Sequence, residues 1–289
     1  MIKRVCLAAS FMSLAACSSL PDQTVSDGPE IVAELADQTV DQRDPMVTPV
    51  SKDLLPALIE VEDETYFASA EFPPDLQMIA PELDASLRAD AMTQFESVAA
   101  MSKEMATEDA EFFRPYGIGF TWDVLEYVAP LVSLKGLYYE DFGGAHPNYG
   151  LIGLLYDTDT QAEIDVASLF SEPEAAPASL YPLVREAIIQ AKLDRLTEYG
   201  LTEDEIISDV DYTFSEDGTW LSTSALTSST ETDHFGGIIV YFSPYEIGPY
   251  AEGSYEVPVA QADFRDWLKP EYQAMFGGDP VVPLDEDGA

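Results

Sequence analysis

The sequence predicts an α+β protein in which antiparallel sheets pack with amphipathic helices, arranged as two consecutive subdomains. Three observations lead there. Apolar residues recur at helical spacing in two long segments, 83 to about 113 and 180 to 191. Around these segments stand blocks rich in aliphatic and aromatic residues and bounded by turn formers, the mark of strands. Strand and helix signals come in blocks rather than in strict alternation, which favours α+β over a doubly wound sheet.

Taken in order, residues 66–73 predict a first strand ended by Pro73 and Pro74. Leu83, Leu87, Ala91, Phe95, Val98 and Met105 place one apolar stripe on a long helix. Residues 122–128, 131–139 and 150–157 then predict an antiparallel meander. A second helix follows, with Ser179 as its expected N-cap, Leu180, Leu183, Val184, Ala187, Ile188 and Ala191 on its apolar side, and Gly200 as its stop. Thr202 and Glu205 have the spacing of a capping box for a short helical turn. Residues 210–214 alternate like a strand before the turn Glu216-Asp217-Gly218, and residues 237–242 read as a buried strand. The segment 279–288 is not expected to pack as regular structure.

The N-terminus reads as a lipoprotein signal. Lys3 and Arg4 precede a short apolar run, and Leu14-Ala15-Ala16-Cys17 has the form of a bacterial lipobox. The run is far shorter than the ~20 residues of a membrane-spanning helix. Cleavage and acylation at Cys17 are therefore expected, with Ser18 after it favouring the outer membrane and a periplasm-facing protein. An ordinary signal peptide with an incidental Cys17 is the alternative. The domain organisation expected is a signal peptide over 1–16, an acylated Cys17 with a flexible linker over 17–55, a first α+β subdomain over 56–150, a second over 151–276 and an acidic tail over 277–289. Cys6 leaves with the signal, so no disulfide is expected in the mature chain.

Charge excludes one class of partner outright. Thirteen Lys and Arg stand against 54 Asp and Glu, a formal net charge of −41, and nucleic acid is repelled by it. The carboxylates are spread along the chain, as solubility requires, and they also attract cationic partners.

Gly143-Gly144-Ala145-His146-Pro147-Asn148, then Asp157 and Ala167-Ser168-Leu169-Phe170, then the run from Val240 to Gly253 with Tyr241, Tyr245 and Tyr250, resemble the extracellular domain of the lysozyme-sensing anti-sigma factor RsiV. A similar domain accompanies the catalytic domain of the peptidoglycan deacetylase PdaC. The likeness covers roughly residues 61–272 in order. It implies an α+β ectodomain at the cell envelope, with lysozyme-type enzymes, other cationic envelope proteins or peptidoglycan as partners beside the bilayer itself. No sigma-binding segment and no deacetylase domain are recognised, so neither of those activities is expected.

On physical grounds Gly143 and Gly144 supply the conformations of a turn. His146 either holds that loop through hydrogen bonds or serves a ligand or a reaction as a base. Tyr241, Tyr245, Tyr250 and Tyr255 either fill a core or anchor an interface. The candidate binding residues are Gly143, Gly144, His146, Asn148, Tyr149, Tyr245 and Tyr250.

Catalytic motifs fail one by one. His146 and His234 are the two imidazoles, too few for HExxH or a local paired-His metal site. There is no GxSxG elbow and no phosphate-binding GxxxxGK[ST] loop. Asp157-Thr158-Asp159 lacks the Gly and Glu that complete a calcium loop. No catalytic residue, cofactor or metal is assigned. A non-catalytic binding module is the favoured reading, and a hydrolase using His146 is the alternative.

Overall fold

Leu58–Glu62 (β1) is the first strand among the described residues, an edge strand with alternating exposed and half-buried side chains, and it pairs antiparallel with Tyr66–Glu71 (β2). The computed structural model describes residues 54–282. The expected signal peptide, Cys17 and residues 18–53 of the linker lie outside the described residues, as do residues 283–289 of the tail. The described residues belong to one compact unit.

β2 turns Tyr66, Ala68 and Ala70 inward. A short turn of helix, Leu76–Ile79 (α1), leads into Pro81–Glu108 (α2), whose Leu83, Leu87, Ala91, Phe95 and Val98 are buried at steps of four and three. α2 stops five residues before the sequence suggested. Glu104, Glu108, Asp109 and Glu111 crowd its C-terminal end, where the helix dipole disfavours negative charge. Arg88 joins Asp84 at 2.8 Å, donates to the Pro56 carbonyl and lies 4.3 Å from the Phe72 ring centre, so it ties the start of the domain to the helix.

Tyr116–Val128 (β3), Leu131–Asp141 (β4) and Asn148–Asp157 (β5) form the expected antiparallel meander, and Ala162–Glu163 (β6) closes this six-stranded sheet. One pairing departs from the antiparallel expectation. β2 and β3 run parallel, because the chain crosses over through the 28-residue α2 between them. The face carrying Ile118, Phe120 and Trp122 packs under α2, with Phe95 and Phe120 stacked at 6.3 Å. Trp122 lies flat on Gly136, whose Cβ, if it had one, would come within 2.8 Å of the ring.

A 3-10 turn at Pro173–Ala175 runs directly into Ala176–Leu196 (α3), which buries Leu180, Val184, Ile188 and Ile189. Ser179 lies within its first turn and is not the N-cap; that position falls to Ala175, four residues earlier, with Pro177 in the first helical positions that favour it. Gly200, at φ +89°, ends the helical region as expected. Thr202 and Glu205 make the full capping box of Glu203–Thr213 (α4). The strand expected at residues 210–214 is instead the end of this helix. Ile206, Val210 and Phe214 are buried four residues apart, a helical period, and Tyr212 between them is 91% exposed.

Ser224–Ser229 (β7), Phe235–Phe242 (β8) and Tyr255–Ala260 (β9) form an antiparallel second sheet, and every residue of β8 is buried. Beyond β9, Pro270–Gln273 (α5) makes one turn. The tail does not remain irregular as expected, because Pro280–Val281 (β10) pairs with Ser229 and Ser228 on the outer edge of β7. Pro280 is tolerated there as an edge residue whose missing N–H faces away from the ladder.

The two sheets meet face to face. Ser133 is fully buried, and its hydroxyl donates to the Leu226 carbonyl at 2.7 Å while accepting from the Leu226 amide at 2.8 Å. A Cβ at Gly153 would lie 2.3 Å from the Ser224 backbone, so only glycine admits this approach. Leu151, Ala225, Ile239 and Tyr241 fill the space between the sheets, while Ile238, Val240 and Phe242 face the larger core under α3. The layers are thus helix, sheet, sheet and helix. Residue 150, where the two expected subdomains were divided, stands inside β5.

Candidate functional site

The tip between β4 and β5 is built by residues 141–147. Gly143 takes φ +77° and Gly144 does not, so the left-handed position belongs to the first glycine. Asp141 accepts from the Gly143 amide, and Arg114 donates to the carbonyls of Gly143 and Gly144, at 3.0 and 3.4 Å. At this tip the exposed His146 donates through Nδ1–H to the Pro147 carbonyl, at 2.9 Å.

A second loop, residues 243–254 between β8 and β9, arrives beside the tip. Its Tyr245 hydroxyl stands 3.3 Å from His146 Nε2, and its Tyr250 hydroxyl donates to the Pro147 carbonyl at 2.8 Å. The ring centre of Tyr250 lies 4.0 Å from His146, 5.5 Å from Tyr245 and 6.2 Å from Tyr149. Four of the candidate residues, His146, Tyr149, Tyr245 and Tyr250, therefore share one patch. Gly143 and Gly144 shape its rim. Asn148 stands apart: its side chain points 3.4 Å toward Glu140 on the opposite face of the sheet, since neighbours along a strand alternate. Tyr241 and Tyr255 are core residues.

Tyr149 pairs across the ladder with Tyr139, and Phe67 lies 6.3 Å from Tyr139 on the same face. Phe67 is spread over Gly117, where a Cβ would come within 2.3 Å of its ring, and it remains 41% exposed. The aromatic patch thus continues across the sheet, and Tyr139 and Phe67 were not singled out from the sequence. The pairing of Tyr139 with Tyr149 follows once hairpin register is known; nothing in the local sequence of Phe67 indicates its place. Burial, then Asp141 and Tyr250 nearby, raises the pKa of the Tyr139 phenol, which keeps it a neutral hydrogen-bonding group.

The 243–254 loop is held rigidly. Tyr245 has φ +76°, a costly conformation for a bulky side chain. Glu246 accepts from the Ser243 amide at 2.6 Å, and Ser243 Oγ accepts from the Leu151 amide at 3.1 Å. Lys192 of α3, with no exposed surface, donates to Asp209 of α4 at 2.6 Å and to Glu252 at 2.9 Å. Glu252 also accepts from the Tyr255 hydroxyl at 2.7 Å. Burial and this bond to a carboxylate push the Tyr255 pKa upward, so the phenol stays a donor. Arg195 caps the Ser254 carbonyl and lies over the Tyr255 ring at 4.0 Å.

Catalytic geometry is sparse around His146. Its two ring nitrogens meet a backbone carbonyl and a phenol, and no carboxylate is bonded to the ring among the described residues. No group of three or more metal-ligating side chains gathers among the described residues. Asp157 spends Oδ1 on the amides of Asp159 and Thr160.

The solved structures similar to the chain include two of one family. A DUF3298 family protein of Pseudomonas aeruginosa PAO1 shares 19% identity over 78% of this chain and 95% of its own, with a TM-score of 0.46. A member of the same family from Bacteroides fragilis NCTC 9343 shares 17% over 75% of this chain and 95% of its own, with a TM-score of 0.47. No curated protein matches the chain. Residues 167–262, from the turn before α3 to just past β9, match the family model described as "Protein of unknown function (DUF3298)".

Proposed function

We propose that the protein is a lipoprotein of the bacterial envelope, anchored through Cys17, whose domain is a non-catalytic binding module for a cationic envelope protein. The observation that carries this reading is the aromatic patch of Tyr149, Tyr245, Tyr250 and His146. It combines an exposed, conformationally strained tyrosine with a clamped loop in a chain of net charge −41. Rigid aromatics bring large contact area at small entropic cost, which is what interface anchors need. The surrounding charge steers a basic partner and raises its association rate, although free charges are screened beyond ~8 Å at physiological salt.

The resemblance to RsiV makes lysozyme-type enzymes the first candidates, with peptidoglycan next. Purified domain is titrated with lysozymes and with sacculi at rising ionic strength. Affinity that survives moderate salt and falls by more than ~1 kcal/mol on Tyr250→Ala, without unfolding, supports the reading. Binding that vanishes with salt and is matched by any acidic protein overturns it. Turnover of sacculi that depends on His146 favours the hydrolase instead. Mass spectrometry of the N-terminal peptide tests the anchor: acylated Cys17 at the N-terminus is expected, and unmodified Cys17 with residues 1–16 attached contradicts it.

A further inference from the structure

A second concave site borders the loop that carries Tyr245, in a cleft of about 390 Å3 between the end of α4, the 3-10 turn Thr219–Thr223 and Glu246 and Ile247 of that loop. Its apolar side is Phe214, packed at 5.6 Å on Trp220 and edge-on at 5.7 Å to Phe242. Its polar side consists of hydroxyls and two carboxylates, Asp217 and Glu246.

The hydroxyl hydrogens are already used. Thr219 donates to Asp217, Ser222 to the Thr219 carbonyl and Thr223 to the Trp220 carbonyl, at 2.8, 2.7 and 3.0 Å. What these groups still offer is lone pairs. Asp217 accepts from Thr219 at Oδ1 and is also bonded by the Ser215 hydroxyl, and Glu246 accepts from the Ser243 amide at Oε2, so both carboxylates keep lone pairs for a further donor. No Lys or Arg pairs with either carboxylate among the described residues. Glu246 stands at the solvent-exposed rim of the cleft, and desolvation raises its pKa against the lowering bond from the Ser243 amide.

We propose that this cleft binds a primary alkylammonium group, the aromatic side taking its methylenes and the carboxylates and hydroxyls accepting its three N–H bonds. An ammonium is all donor and no acceptor, the complement of an acceptor-lined cleft, and aromatic faces add cation–π attraction. The group can come from a free small amine or from a lysine side chain. The cleft does not depend on the aromatic patch being an interface.

The test is titration of 15N-labelled protein followed on the indole signals of Trp122, Trp220 and Trp267, with Trp220→Phe as the assignment. The probes are 1,5-diaminopentane, 1-pentanol as the neutral chain, and an end-blocked Gly-Gly-Lys-Gly-Gly peptide. Saturable shifts of the Trp220 signal are expected with the diamine and not with pentanol. Glu246→Gln keeps the bond from Ser243 and removes the charge, so diamine affinity should fall about tenfold. If that variant does not fold, Asp217→Asn serves the same purpose. The peptide binding at least as tightly as the diamine assigns the site to a lysine side chain; the diamine binding alone assigns it to a free amine. No saturable Trp220 shift with any probe, equal shifts with pentanol, or unchanged affinity in a folded charge-removing variant overturns the proposal.

Discussion

At the scale of single residues, Tyr245 and Ser133 show how differently a side chain can matter. Tyr245 is 62% exposed yet sits at φ +76°, so folding holds it in place at a cost of roughly 1–2 kcal/mol that its own packing does little to offset. Tyr245→Gly should leave the melting temperature unchanged or higher, the relieved strain outweighing glycine's entropy, while weakening partner binding; thermal melts and a titration measure the two effects. Ser133 is the converse. Ser133→Ala leaves the Leu226 amide and carbonyl buried without their partner, and denaturant unfolding should show a loss of about 1–3 kcal/mol. Individual turn residues were readable in advance where chemistry dictates them, as with the stop at Gly200. They were not where two candidates stand side by side, as with Gly143 and Gly144, because contacts from residues distant in sequence, such as Arg114 to both carbonyls, help to shape the turn. Gly144→Val therefore has no left-handed backbone to strain, and a Cβ there meets only ordinary contact at 3.7 Å.

At the scale of elements, periodicity was a sound guide wherever it ran long. The stripe from Leu83 to Val98 and the capping box of Thr202 and Glu205 placed two helices, and removing the box in Thr202→Ala should cost about 1 kcal/mol by thermal unfolding. Short windows misled. Residues 210–214 alternate locally, but their register belongs to Ile206 one turn earlier, and β1 carries little signal because its five residues include two glutamates and three of them are exposed. The association of the two loops at the aromatic patch was beyond sequence spacing altogether, since His146 and Tyr245 lie 99 residues apart. What fixes that association is α3. Lys192→Met would leave Asp209 and Glu252 facing each other without a cation. It should cost about 2 kcal/mol, less than the 3–5 of a fully buried pair because Asp209 is 41% exposed. It should also weaken partner binding through the loosened loop, and Lys192→Arg should restore part of both.

At the scale of the whole molecule, charge governs stability against pH. Glu163 and Glu246 are raised above the ordinary 4.5 by burial, so their ionised forms cost stability that is recovered as pH falls through their folded values toward 4.5. Asp63, held at about 2 by its bonds from Thr65, and Glu205 and Asp217, also lowered, act in the opposite sense. Their contribution is present above the unfolded values near 4 and is lost as pH falls through the folded ones, toward 2 for Asp63. Protonation also relieves the repulsion of a chain at −41. Melting temperature should accordingly rise from pH 7 toward pH 5 and fall steeply below pH 4, and added salt at pH 7 should stabilise. A flat profile would show that the carboxylates are too well solvated to matter.

The bed that Gly136 makes for Trp122 has an optical consequence. Trp122 lies in the layer between α2 and the first sheet, Trp220 in the core under the second, and Trp267, at 41%, is partly exposed to water. Each layer thus carries its own fluorophore. Variants that keep only Trp122 or only Trp220 report whether the layers melt as one. Because Ser133 and Gly153 join the sheets so closely, the two emission curves should superimpose along a urea gradient, and a gap between their midpoints would mark two separately folding halves.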